Sequence, residues 1–154
     1  WDIVYSWGGL HHTGSMWRSL ENVTMLVADP GTLFVSIYNH QEPWSAAWLR
    51  VKRLYNRGLS GRAAVVGVFF PYFCLRGLAK DVLTARNPLH RYWTYRRTRG
   101  MSMWHDWHDW LGGYPFEVAK PEEIFDFYQS RGFHLVRLVT CGGGLGCNEF
   151  VFRR

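Results

Sequence analysis

The chain has 154 residues, 47% of them hydrophobic, enough for one domain with a real core and short for two. Lys and Arg outnumber Asp and Glu by 18 to 12, a formal charge of +6, which favours anionic partners: nucleic acid, phosphorylated metabolites or an anionic membrane surface. Aromatic residues make up 18%, nine of them Trp, which suits a pocket wall as well as a core; three Cys without a repeating framework argue against a disulfide scaffold and for a reducing, cytoplasmic compartment.

The first run, WDIVY (1–5), reads as a buried parallel strand that ends in the small-residue loop SWGGLHHT (6–13). No basic n-region of a signal peptide precedes it, and the first residue already lies inside the strand, so the chain reads as a piece of a larger fold. Met16, Leu20, Val23 and Val27 recur at helical steps, which predicts a helix over 16–28 with Ser15 as N-cap and Pro30-Gly31 as its stop. TLFVSIYN (32–39) is a second buried strand, and strand, helix and strand make a right-handed βαβ unit.

From His40 to about residue 100 the pattern is helical, a cap-like insertion. Trp44, Trp48, Val51 and Tyr55 share one face, ended by Gly58. AAVVGVFFPYFCL (63–75) is 13 residues long, against about 20 for a spanning helix. With Pro71 inside, it predicts a buried or lid helix with a break and no transmembrane segment, contact with a membrane surface being the alternative. KPEEIFDFYQSRGF has Pro121 and two acids in the first turn and Gly132 at the end of a helix. HLVRLVT and NEFVFRR are strands of a terminal antiparallel hairpin joined by CGGGLGC.

Several stretches carry chemistry-bearing residues. GGGLG (142–146) resembles a phosphate loop, but a strand follows where a helix N-terminus is needed, so it reads as the hairpin connection. Cys141 and Cys147 flank it and are read as free thiols. SWGGLHHT lies past the carboxyl end of a parallel strand, where ligands bind in open α/β sheets, and brings the imidazoles of His11 and His12. Adjacent His side chains are expected to diverge, which argues against a metal site. MWHDWHDWLGGYPFE (103–117) sets His105 beside His108 and Asp106 beside Asp109 on a helix, without the i, i+4 His pair and Glu of helical zinc sites. Orienting or acid/base roles for His105, Asp106 and Asp109, with Trp107 and Trp110 as aromatic wall, compete there with plain packing. RYWTYRRTR (91–99) is a basic run, a solvated face or a nucleic-acid contact.

WDIVYSWGGLHHTGSMWRSLENV with PGTLFVSIYN resembles the second half of a class I S-adenosylmethionine-dependent methyltransferase, from its fourth sheet strand to its fifth. GMSMWHDWHDWLGGYPFEVAKPEEIFDFYQSRGFHLVRLVTCGGGLGCNEFVF is similar to the distal part of a bacterial subgroup of small-molecule or quinol-type methylases. The resemblance implies an α/β fold, the C-terminal half of a Rossmann-like sheet: two parallel strands and a terminal antiparallel hairpin, with residues 40–100 as a helical insertion in a partial methyltransferase domain 1–154. It implies S-adenosylmethionine as cofactor, with Ser6, Trp7 and Gly8 beside its methionine and ribose end. His11 or His12 would face the methyl-transfer site, and Tyr38 and Asn39 would line the substrate pocket. The family's Gly-rich cofactor loop and the acidic residue after its second strand have no counterpart in the chain.

Three functions follow as expectations. One is methyl transfer to a small-molecule acceptor, aromatic or lipidic, by a chain too incomplete to act alone, with His11, His12, Asp106 and Asp109 as catalytic candidates. A second is a basic RNA-binding module, or half of an RNA methyltransferase, using Arg96, Arg97 and Arg99. A third is a partner-dependent half whose exposed sheet edge is completed by the missing N-terminal half or by another chain.

Overall fold

The computed structural model describes residues 1–154 except the side chain of Leu89. It is mixed α/β, and the described residues form an open mixed sheet of four strands and six α-helices. They fall into two compact units, residues 1–47 with 115–154, and residues 48–114.

The first unit is built on the sheet. Strand β1 (Ile3–Trp7) pairs in parallel with β2 (Thr32–Tyr38), joined through a 3-10 turn (Leu10–His12) and helix α1 (Met16–Thr24). Helix α6 (Pro121–Gln129) leads into β3 (His134–Val139) and β4 (Cys147–Arg153). The hairpin folds back so that β4, not β3, lies antiparallel against β2, giving the order β1-β2-β4-β3. Period-two alternation sends Leu33, Val35 and Ile37 of β2 and Phe150 and Phe152 of β4 to one face, where they bury against Met16 and Leu20 of α1 and Ile124 and Tyr128 of α6. Phe133 closes that core. Burying the Tyr128 ring also pushes its phenol pKa up.

Several boundaries differ from expectation. The first strand spans 3–7, not 1–5, because Ser6 and Trp7 find partners opposite Val35 and Ser36, so these two are sheet residues rather than loop. Helix α1 stops at Thr24, four residues early, where the Met25 N–H turns back to the Asn22 carbonyl and the Leu26 N–H to that of Val23. Ser15 makes no side-chain cap; the Glu117 carboxylate takes the Met16 N–H instead, both oxygens at 3.1 Å. Helix α6 begins as expected, with Pro121 in its first turn and the Glu123 carboxylate accepting from the Lys120 N–H at 2.7 Å. On the sheet edge, Ile3, Tyr5 and Trp7 are 72, 66 and 60% exposed.

The second unit is helical: most of α2 (Trp44–Tyr55), then α3 (Leu59–Leu83), α4 (Pro88–Arg99) and α5 (Met103–Gly112). Its core is Tyr55, Val65 and Leu111, with Trp48, Val51, Phe69, Phe70 and Phe73 packed round them. Trp44, expected on that buried face, is exposed. The expected break at Pro71 is absent, and α3 runs 25 residues straight through it. Pro71 sits on the exposed side of the helix and offers no N–H to the Gly67 carbonyl. By length and composition α3 is apolar enough to cross a membrane.

Candidate functional site

At the carboxyl ends of β1 and β2 the first unit gathers aromatic and titratable groups. Gly8, at φ +76° with open space where a Cβ would stand, turns the chain out of β1 into the 3-10 turn. That turn seats both imidazoles on Tyr38: the His11 and Tyr38 ring centroids are 4.1 Å apart, those of His12 and Tyr38 5.6 Å. The two adjacent imidazoles, expected to diverge, meet edge to face at 4.6 Å, because a 3-10 turn brings successive side chains closer than an extended loop does.

Their surroundings differ. His11 is buried and accepts a long hydrogen bond, 3.4 Å, from the Tyr38 amide at Nδ1. The half-buried His12 stands 2.6 Å from the Pro115 carbonyl oxygen through its Nδ1. A carbonyl only accepts, so Nδ1 of His12 carries a proton, and in the neutral ring the lone pair falls to Nε2. The Glu117 N–H donates to the His11 carbonyl, tying the segment after Pro115 to the turn.

Ser6 and Trp7 do not act together. Successive strand residues leave opposite faces; Trp7 Nε1 donates to Glu149 Oε1 at 3.4 Å across the small Ser36, while Ser6 lies under Gly9. A ligand at this strand end meets one of these side chains, with the backbone of Gly8 and Gly9. Asn39 accepts from Asn148 Nδ2 at 3.0 Å, and Asn148 Oδ1 accepts from the Cys141 N–H, so Asn39 also pins the hairpin loop. Gln41 donates to the Gly143 carbonyl. All three cysteines are free thiols, and burial pushes Cys147 up. Among the described residues no group of three or more His, Cys, Asp or Glu could hold a metal ion.

The second unit holds the His-Asp-Trp stretch as α5, whose N-cap Ser102 accepts from the His105 N–H and also bonds His105 Nδ1 at 2.5 Å. His105 is thereby a capping partner. Asp106 is buried and accepts from Tyr95 Oη at 2.5 Å and from Arg99 Nε at 3.2 Å. Burial first, then this bond, hold the Tyr95 phenol above its usual range. Asp109, one turn on, is exposed and is not brought to Asp106; its charge acts on Lys52.

Lys52, which the sequence reading passed over, is 4% exposed and donates to the Trp110 carbonyl at 2.5 Å. Burial lowers its pKa to about 8, Asp109 opposing. Only the helical face of Tyr55 and Val51 could have flagged it, and a Lys beside that face reads as a solvated charge. His108 bonds Tyr55 Oη at 2.6 Å; burial, then Arg62 and His105, depress it. Trp107 and Trp110 line a cavity of about 340 Å³ with Phe73, Arg76, Lys80 and Tyr92. Arg91, also on its wall, is paired with Asp81 at 2.6 Å.

The first site thus offers an imidazole with Nδ1 engaged, beside glycine backbone at a strand end; the second offers an aromatic, cationic cavity of small-molecule size. No family model, curated protein or solved structure matches the chain.

Proposed function

We propose that this chain carries the strand-end part of an S-adenosylmethionine-dependent methyltransferase acting on a small molecule. The observation that carries the reading is the meeting of Gly8, His12 and Tyr38 at the carboxyl ends of two parallel strands, where open α/β sheets bind their ligands. The strand order, with an antiparallel β4 set between β2 and β3, accords with the reversed hairpin that the sequence resemblance implies.

The residues present fit one end of the cofactor. Gly8 and Gly9 admit close approach of a ligand to the backbone, and Ser6 or Trp7 supplies one further contact. Bound there, S-adenosylmethionine would supply an electrophilic methyl group on sulfonium. His12 would take the proton of an acceptor hydroxyl or amine through Nε2, its Nδ1–H held by Pro115. Tyr38 would hold both imidazoles in place and offer the acceptor a flat face. Asp106, spent on Tyr95 and Arg99, acts as a positioning group within the helical unit rather than as a base.

An adenosine end needs a Gly-rich loop and an acidic side chain. Glu117, the carboxylate beside the turn, is taken by the α1 N-terminus. Affinity of the chain alone for the cofactor is therefore expected to be weak. Titrating the ¹⁵N-labelled protein with S-adenosylhomocysteine to millimolar concentration is expected to shift the amides of residues 6–12, 38 and 39, without saturation in the micromolar range. No shift at these amides sinks the reading; saturation at micromolar ligand overturns the account of the missing adenosine contacts.

The RNA-binding reading draws less support, because two arginines of its basic run, Arg91 and Arg99, are engaged by Asp81 and Asp106.

A further inference from the structure

Helix α3 has two unlike sides. Gly61, Val65, Phe69, Phe73 and Gly77, at four-residue steps, are packed within the helical unit, against the rings of Trp48, Trp107 and Trp110 among others. Ala64, Val68, Pro71, Leu75, Leu78 and Val82, at three- and four-residue steps, form the opposite side and stand in the open. Val68, Leu75 and Val82 are 66, 65 and 64% exposed. No charged residue occurs from Ala63 to Leu75, and none occupies this side up to the end of the helix. A continuous bare apolar stripe of this length marks an interaction surface.

The cations nearby are not all spent. Arg91 and Arg99 are paired with Asp81 and Asp106, whereas Arg96 and Arg97 of α4 are exposed; Arg76 and Lys80 of α3 border the cavity on its packed side. Trp93, also on α4, is 82% exposed. An apolar stripe, an exposed indole and exposed arginines make a combination that a lipid headgroup boundary satisfies at once.

We propose that α3 lies in the surface of an anionic lipid bilayer, with Val68, Leu75 and Val82 at the acyl boundary and Arg96 and Arg97 among the headgroups. Charge complementarity selects this occupant: an RNA would use the cations and leave the apolar stripe in water, and an uncharged protein groove would do the reverse. The helix lies on the bilayer rather than across it. By length and composition it could cross, but its other side is committed to protein, which leaves one side only for lipid. The proposal is independent of the methyltransferase reading.

Flotation of the full chain with vesicles tests it. Recovery is expected with vesicles of phosphatidylcholine containing phosphatidylglycerol and not with phosphatidylcholine alone. The pair Val68→Glu with Leu75→Glu, and separately Arg96→Glu with Arg97→Glu, are each expected to lower recovery about tenfold or more. Circular dichroism verifies that each pair keeps its helix. Leu75→Gln, mild enough for an exposed turn, is the second variant and is expected to weaken recovery by a few-fold, about the worth of one buried side chain. Equal recovery with neutral vesicles, no recovery with anionic ones, or indifference to Val68 and Leu75 overturns the proposal. Loss of vesicle binding to a competing single-stranded RNA, with those two substitutions silent, assigns the cations to nucleic acid instead.

Discussion

Nδ1 of His12 and the carbonyl oxygen of Pro115 lie 2.6 Å apart, although 103 residues separate them in the chain. The bond fixes the tautomer at His12, and the His11 bond from Tyr38 N–H fixes the opposite one. Imidazole ¹⁵N shifts are expected to report Nδ1–H at His12 and Nε2–H at His11. His12→Phe removes both the base and the tether. Its expected cost is about 1 kcal/mol of stability. On the proposed reading it also lowers methyl transfer by about a hundredfold. A His12 found as Nε2–H withdraws the lone pair from the base and refutes the assignment.

Glu117 stands where the sequence reading placed Ser15, as the cap of α1. A carboxylate on a helix N-terminus satisfies an N–H and meets the positive end of the helix dipole. Glu117→Ala is expected to cost about 1 kcal/mol in urea denaturation. Ser15→Ala, with no cap bond to lose, is expected to change stability by less than about 0.5 kcal/mol. The reverse ranking would show that the cap resides on Ser15 after all.

That exchange shows which parts of the fold were legible. Local periodicity located α1, β2, α6 and the terminal hairpin, because each carries its own pattern: Leu33, Val35 and Ile37 alternate, and Pro121 with two acids opens a helix. Long-range partners were not legible. Glu117 reaches Met16 over 101 residues, and β4 chooses β2 through pairing that no local pattern encodes. The same limit hid Asp106: its spacing on α5 is visible, but the Tyr95 and Arg99 that consume it come from α4. The gathering of His11, His12 and Tyr38 was half legible, since strand ends attract ligands but the tautomers depend on Pro115 and on a backbone amide.

Lys52 gives the second unit a pH dependence. Its amine titrates near 10.5 when unfolded and near 8 in the folded chain, burial being the main cause. Between these values the unfolded chain holds a proton that the native chain has released, so stability rises with pH across the window. Below pH 8 both states are charged and the full cost persists, on the order of 3 kcal/mol. Thermal denaturation followed from pH 8 to 10.5 is expected to show this gain in the native sequence and a smaller one in Lys52→Met. Identical pH profiles for the two proteins would mean that Lys52 stays solvated.

Asp106 and Asp109 carry the same chemistry one turn apart on α5 and are expected to behave differently. Asp106 is 7% exposed, and its carboxylate is the common acceptor for Tyr95 and Arg99. Asp106→Ala leaves the Tyr95 hydroxyl, itself partly buried, without its acceptor, at an expected cost of about 1–3 kcal/mol. Most of that arises at Tyr95. The Arg99 side chain is 58% exposed, and solvent screening holds its share to that of a surface pair, below about 1 kcal/mol. Asp109→Ala, at an exposed site, is expected to stay within about 0.5 kcal/mol. A double-mutant cycle of Asp106→Ala with Tyr95→Phe separates the two contributions, with an expected coupling of about 1 kcal/mol. If Asp106→Ala instead leaves stability untouched while abolishing activity, the carboxylate is a catalytic group, and its bonds to Tyr95 and Arg99 serve to orient it rather than to hold α4 on α5.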